Sequence, residues 1–296
     1  MAGSPNMTLD EWQRAVLPWL RTLDFAPTKL GGVTLLAYFF WNDDRIETKF
    51  YTIECAFLCA FQSWGAGIPA VLVTNRETAT MRGFCARYGV QLQVDPTLTG
   101  GVPGMNIDCV RNLYRRFDTE YVVIIQSDGF PVRAGLERFL GKWDYVGAPW
   151  PGRGNWKDRF FLYPKFSVGN GGFCLRSRRI CEQASKAYGG IWQHLPYSLL
   201  VGDDVFYCKT MPFLSARWRR SFRYPSREEA LRFAVEWIPR GMELVDPPLG
   251  FHSDAGFRNY IRKFGVPFAE EAGLTLKDTP VAASKHDAAT GKDNSL

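Results

Sequence analysis

YVVIIQSDGF, residues 121–130, decides the class of fold. Its first five residues are apolar without alternation, and four of them (Val122, Val123, Ile124, Ile125) are β-branched. An unbroken run of this kind suits a strand covered on both faces, which is the environment of a parallel sheet between helices. The run stops at Gln126-Ser127-Asp128-Gly129, so a carboxylate is expected at the carboxyl end of a central strand. Toward the N-terminus, residues 33–40, 69–75 and 90–94 read as further strands. Residues 47–63, 77–88 and 107–117 carry helical spacing, and the Gly/Pro-rich 96–106 reads as a loop. The first 130 residues therefore alternate β-α-β-α-β-α-β, which implies an α/β fold with a mainly parallel sheet and helices on both faces. Ligands of such sheets sit outside the carboxyl ends of the strands. That rule gathers Tyr38–Asn42, Thr74–Arg76 and Gln126–Phe130 around one crevice.

Beyond residue 130 the rhythm changes. Residues 143–150 read as a short strand and 151–166 as a basic, aromatic loop. A glycine-rich turn at 166–178 leads into a strand, and 179–188 is helical. Residues 199–211 read as a loop entering a helix at Asp203, and 226–237 as a helix whose Ser226 and Glu229 have capping-box spacing. PPLGFH at 247–252 closes the fold. Ahead of the first strand, residues 8–24 form an amphipathic helix with Thr8 as N-cap, and Pro18 is expected to kink or split it. No linker cuts the chain. The expected organisation is an N-terminal helical extension (1–30), one domain (31–276, with halves 31–130 and 131–276) and a polar, disordered tail (277–296).

The chain has 296 residues, 46% hydrophobic and 22% charged, which suits one large globular unit and excludes a disordered, coiled-coil or collagen-like chain. The apolar run at 33–41 is far too short to span a bilayer. The N-terminus lacks the pattern of a signal peptide. Seven cysteines, odd in number and without a CxxC pair, argue against a disulfide framework or a structural zinc site. Cys55 and Cys59 read as buried small hydrophobes, and a reducing cytoplasm is the expected compartment. Net charge is +6, but residues 152–223 hold 13 Lys/Arg against four acids. Such an excess points to an anionic partner or to a solvated basic face. There is no GxGxxG after the first strand and no GxxxxGK[ST], which disfavours a dinucleotide site and a P-loop.

A strand ending in QSDG, a GNGGF turn, an acidic pair opening a helix and a late GFH together resemble a GT-A glycosyltransferase. The phrases DYVGAPW, VGNGGFCLRS, GDDVFYC, ALRFAVE and PLGFH are similar to a bacterial glycosyltransferase-like family first catalogued as a domain of unknown function. The resemblance covers about residues 33–252. It implies a GT-A-like sheet with a smaller acceptor-side β/α region, and transfer of a sugar from a nucleotide donor to an acceptor hydroxyl, inverting and metal-assisted.

Carried over residue by residue, the resemblance makes Asp128 a ligand of a divalent cation, Mn2+ or Mg2+, that neutralises the donor diphosphate. The usual Asp-x-Asp is here Ser127-Asp128-Gly129-Phe130, with one carboxylate where two are common. His252 matches the late metal-ligand histidine. Asp204 is expected to be the general base, with Asp203 holding the acceptor or capping the helix, and the two roles could be exchanged. Asn170, Gly171 and Gly172 form a turn under donor sugar and acceptor. Tyr38, Phe39, Thr74, Asn75, Arg76, Gln126, Ser127 and Gly129 line the donor site, with Tyr38 or Phe39 stacking on the base. Lys165, Arg176, Arg178 and Arg258 are candidate diphosphate partners. Glu236 matches the family phrase without an assigned role.

The expected partners are a nucleotide-sugar and a glycan, lipid-linked or protein acceptor, with peripheral contact at the inner face of the membrane through the basic region and no specific nucleic acid. Two other readings compete. A nucleotidyltransferase would need a basic glycine-rich loop after the first strand, where WNDDRIE is acidic. A polyanion or nucleic-acid binder could stack bases on Trp156, Phe160, Phe161 and Tyr163, but leaves the acids at 128, 203 and 204 unexplained.

Overall fold

The structure is a computed structural model that describes residues 7–98, 101–151, 168–189 and 202–274. The tail beyond 277, Lys165, and the aromatic residues at 156, 160, 161 and 163 lie outside the described residues. Nine strands are described: β1 (Val33–Tyr38), β2 (Ala70–Thr74), β3 (Gln91–Val94), β4 (Tyr121–Ile125), β5 (Gly129–Pro131), β6 (Tyr145–Gly147), β7 (Cys174–Ser177), β8 (Ala234–Val235) and β9 (Gly250–His252). Six form one sheet in the order β3-β2-β1-β4-β7-β6, and β5-β9-β8 form a second, smaller sheet. β1 is parallel to both β2 and β4, and β2 to β3. β7 runs antiparallel to β4 and to β6. The expected α/β class, with a mainly parallel sheet and flanking helices, is what the chain adopts.

The buried runs divide between two cores because successive side chains of a strand point to opposite faces. Leu35, Ala37, Val123 and Ile125 join one cluster with the helices Leu9–Leu20 and Phe50–Trp64. Leu36, Tyr38, Val122 and Ile124 join the other, with the helix Arg178–Tyr188 and the 203–214 segment. The N-terminal helix belongs to the first core. Thr8 and Glu11 close a reciprocal capping box, and Pro18 is accommodated in the last turn without splitting the helix. Its Trp12 is fully buried, stacks on Phe130 at 5.9 Å and donates Nε1–H to the Pro267 carbonyl.

Four expectations are corrected. The strand expected over 121–130 ends at Ile125, and the chain turns before entering the second sheet as β5. The loop expected over 96–106 is partly helix Val102–Arg111, since Gly101 (φ +67°) precedes it and Pro103 lies in its first turn, where a missing N–H costs nothing. The helix expected over 226–237 stops at Phe233, because Ala234-Val235 pairs with β9 as β8. A helix over Ser253–Phe264 follows β9 directly. All seven cysteines are free and buried.

Candidate functional site

The site is built on turns that the second sheet brings together. After β4, Gln126 and Gly129 exchange both backbone hydrogen bonds (2.8 and 3.2 Å), so Asp128 stands in a tight turn. Two distant segments pin it. Buried Gln13 of the N-terminal helix donates to the Ser127 carbonyl (2.7 Å), and the Ser253 N–H donates to the Asp128 carbonyl (2.7 Å). Ser253 has φ +68°, a left-handed conformation that a non-glycine residue adopts at a cost, directly beside His252.

Strand register then sets the partners. β5 and β9 pair Gly129 with His252, and β8 pairs Val235 with Phe251. The residue after Val235, Glu236, is thereby set beside His252. The imidazole lies between two carboxylates: Nε2 is 3.7 Å from Asp128 Oδ1, and Nδ1 is 3.4 Å from Glu236 Oε1. The latter is an ion-pair contact, since Nδ1 has no aligned hydrogen bond. Burial pulls the imidazole pKa down, but the Glu236 contact and the charges of Asp128, Glu236 and Asp204 outweigh it and hold it above the ordinary histidine value.

The GNGG turn joins this group to the acid pair. Asn170 is buried; its Nδ2 donates to Glu236 Oε2 (2.6 Å), and its Oδ1 accepts the Gly172 N–H (2.8 Å). A Cβ on Gly172 would overlap the His252 ring outright and come within 2.9 Å of Gln126 Oε1. A Cβ on Gly171 would meet Asp203 Oδ1 at 2.9 Å and Asp204 Cβ at 3.4 Å. The two glycines are therefore the contact between the His252 side and the aspartate side. Gly172→Ala is expected to destabilise the fold by about 1–3 kcal/mol through overpacking. Gly83→Ala, in a helix with nothing within 4 Å, should be neutral or stabilising by up to about 1 kcal/mol. Thermal denaturation of both variants checks this; equal midpoints would contradict it.

The two aspartates differ. Buried Asp203 pairs through Oδ2 with Nη2 of Arg176, a fully buried guanidinium lying over the Tyr145 and Tyr207 rings (5.1 and 4.6 Å). It makes no side-chain cap; Gly202 occupies the N-cap position. Asp204 is half-buried and accepts the Val205 N–H (2.7 Å). Burial first, and then the charge of Asp203, push its pKa up to about 7.

Beside this cluster lies a largely apolar cavity of about 260 Å³, lined by Tyr38–Trp41, Gly101, Val102, Met105, Gln126 and Ser127. Tyr38 is buried with its hydroxyl donating to Asp108 (2.7 Å), and Phe39 packs edge-on against Phe50. Thr74, Asn75 and Arg76 do not line it. Thr74 is buried and donates to the Arg76 carbonyl, Asn75 bonds Asn42, and Arg76 bonds the Asp43 carbonyl.

Three proposed diphosphate partners are engaged with protein carboxylates or carbonyls. Arg176 spends its charge on Asp203. Arg178 begins a helix next to Ser177, which pairs with Tyr121 at the opposite end of β4, about 13 Å of strand from Ile125, where β4 stops before the Asp128 turn. There it bonds the Phe117 carbonyl and Glu182. Arg258 pairs with Asp254 one helical turn earlier (2.7 Å), and Asp254 in turn accepts the Leu9 N–H. The residue that sequence reasoning left without a role is Glu236, which bridges Asn170 and His252; its only signal was its place in the ALRFAVE phrase.

Among solved structures, the chain is similar to the mannosyltransferase PcManGT from Pyrobaculum calidifontis in complex with GDP-Man and Mn2+ (15% identity, 59% of this chain and 53% of that one, TM-score 0.34). It is also similar to the mannosyltransferase Ktr4p from S. cerevisiae in complex with GDP (10% identity, 77% and 78%, TM-score 0.41). A third is the galactosyltransferase LgtC in complex with donor and acceptor sugar analogs (13% identity, 84% and 98%, TM-score 0.42). The chain thus spans about half the length of the first of these. No curated protein matches it. A family described as "Protein of unknown function (DUF5672)" matches residues 105–252, half of the 296-residue chain and the span from the helix lining the cavity to His252. The chain belongs to the DUF5672 family.

Proposed function

We propose that this protein transfers a glycosyl group, with inversion, from a nucleotide-sugar to an acceptor hydroxyl. The observation that carries the reading is the meeting of Asp128, His252 and Asp204 around one glycine turn, beside an apolar cavity able to take a flat heteroaromatic ring. The nucleotide base enters between Tyr38–Trp41 and the first turn of the Val102–Arg111 helix, which directs the diphosphate toward Ser127 and Asp128. The sugar lies over Gly171-Gly172, where the lack of side chains allows close approach of the backbone.

Asp204 removes the acceptor proton as the oxygen attacks the anomeric carbon. A carboxylate with a pKa near the working pH is the efficient choice, because it is ionised enough to accept the proton and basic enough to hold it. Asp203, paired with Arg176, stands beside Asp204, and its charge helps to raise the basicity of that neighbour. Asn170 and Glu236 hold His252 toward Asp128.

Asp128 and His252 would hold Mn2+ or Mg2+. One carboxylate oxygen and one imidazole nitrogen facing each other at 3.7 Å fit a hard divalent ion. Among the described residues no group of three or more such side chains is arranged to hold a metal ion, so Asp128 and His252 would share it with the donor. When bound, the cation supplies charge stabilisation to the departing diphosphate.

Calorimetric titration with UDP, GDP and dTDP and their sugars, with and without Mn2+, tests the proposal. At least one nucleotide is expected to bind, and more tightly with the metal. Failure of every nucleotide under both conditions would overturn it.

A further inference from the structure

A second surface lies at the far end of the segment that begins with the acid pair. Residues 203–214 run as one helical stretch through Asp203–Val205, a wide turn at Phe206–Thr210 and Met211–Leu214. Its tip leaves Phe213 48% and Leu214 57% exposed. The short helix Ala216–Ser221 follows. It buries Trp218 and thereby presents Arg217 and Arg220 to solvent. Arg219 donates to the Pro212 and Phe213 carbonyls, which fixes the tip. Across a groove of about 260 Å³ stands the helix Arg178–Tyr188, with Arg179 and Lys186 exposed. Countercharge here comes from Glu182, which lines the groove and pairs with Arg178 (3.1 Å), and from buried Asp144, which is shared by Arg179 (2.7 Å) and Arg223 (3.7 Å), both half-exposed.

We propose that this face docks on a bilayer containing anionic lipid, with Phe213 and Leu214 entering the headgroup layer and Arg179, Lys186, Arg217 and Arg220 meeting lipid phosphates. Cations alone would suit any polyanion. The exposed aliphatic and aromatic tip, a few residues before Arg217 in the chain, selects a surface with an apolar interior, as interfacial protein segments do. The inference does not depend on the transferase reading.

Co-sedimentation with phosphatidylcholine vesicles, with and without phosphatidylglycerol, tests it. Binding is expected only to the anionic vesicles and should vanish as salt shortens the Debye length from about 30 Å to about 3 Å. The double variant R217E/R220E should bind at least about tenfold more weakly, since each cation near such a surface contributes a comparable share. L214S should also weaken binding, and both variants should keep the parental thermal midpoint because the residues are exposed. No binding by the parent at low salt, or equal binding by R217E/R220E, overturns the proposal. Binding to single-stranded RNA that L214S leaves unchanged, with none to vesicles, overturns it in favour of a polyanion site.

Discussion

Asp204→Asn is expected to reduce kcat about 10²–10⁴-fold, the usual contribution of a general base, while leaving the protein at least as stable as the parent above neutral pH. The stability half follows from the sign of the pKa shift. The carboxyl is raised from 3.8 to about 7, so the folded protein binds this proton more tightly than the unfolded chain. Ionising it therefore costs stability as pH rises from 3.8 to about 7, and the full cost is carried above that. An amide removes the charge, and its oxygen still accepts the Val205 N–H. Melting at pH 8 should show an equal or higher midpoint for the variant, with the difference fading toward pH 4. In the parent, the rate should fall about tenfold per unit as pH drops below about 7, because the base is then protonated. Unchanged turnover in Asp204→Asn would reassign the base; a lowered midpoint at pH 8 would contradict the buried, raised carboxyl.

Arg176→Met is expected to be the most damaging single change to stability, at about 3–5 kcal/mol, because it leaves the Asp203 carboxylate buried without its partner. The guanidinium already carries two buried nitrogens, Nε and Nη1, without a hydrogen bond, so Asp203 and the two tyrosine rings are what hold it. Removing both charges together, as Arg176→Met with Asp203→Leu, should recover most of the loss, since a well-packed apolar pair often matches a buried ion pair. The kinetics separate positioning from packing. Arg176 lowers and Asp203 raises the Asp204 pKa. The acid limb of the rate profile should therefore move to higher pH in Arg176→Met and return in the double variant. Chemical denaturation and pH–rate profiles check both; a limb that does not move would reduce Arg176 to a packing role.

The parallel half of the fold was legible because each strand is a continuous apolar run and each connection carries a 3.6-residue period. Neither signal needs tertiary information. The acids at 128 and 204 stood out as candidates for a related reason: a carboxylate just past a buried strand, or paired at a helix start, contrasts with its apolar surroundings. Glu236 was not. ALRFAVEW has helical composition, and only pairing of Ala234-Val235 with β9 stops the helix and turns Glu236 toward His252. The arginines were harder to place. Their number suggested an anionic partner, but Arg176 points into a core beside Asp203, and Arg178 emerges at the other end of the sheet. A charge count does not say on which face, or at which end, a strand displays its charges.

Local sequence thus determined most strands and helices of the parallel half, and which residue types were available for chemistry, because period and propensity act over a few residues. The tertiary structure decided which of those residues meet: strand register set His252 opposite Gly129 and Glu236 beside it, and a side-chain-free Gly171-Gly172 let the aspartates approach from the other side. Such contacts link positions from 16 residues apart (Glu236 and His252) to 123 apart (Gly129 and His252), and no local pattern records them.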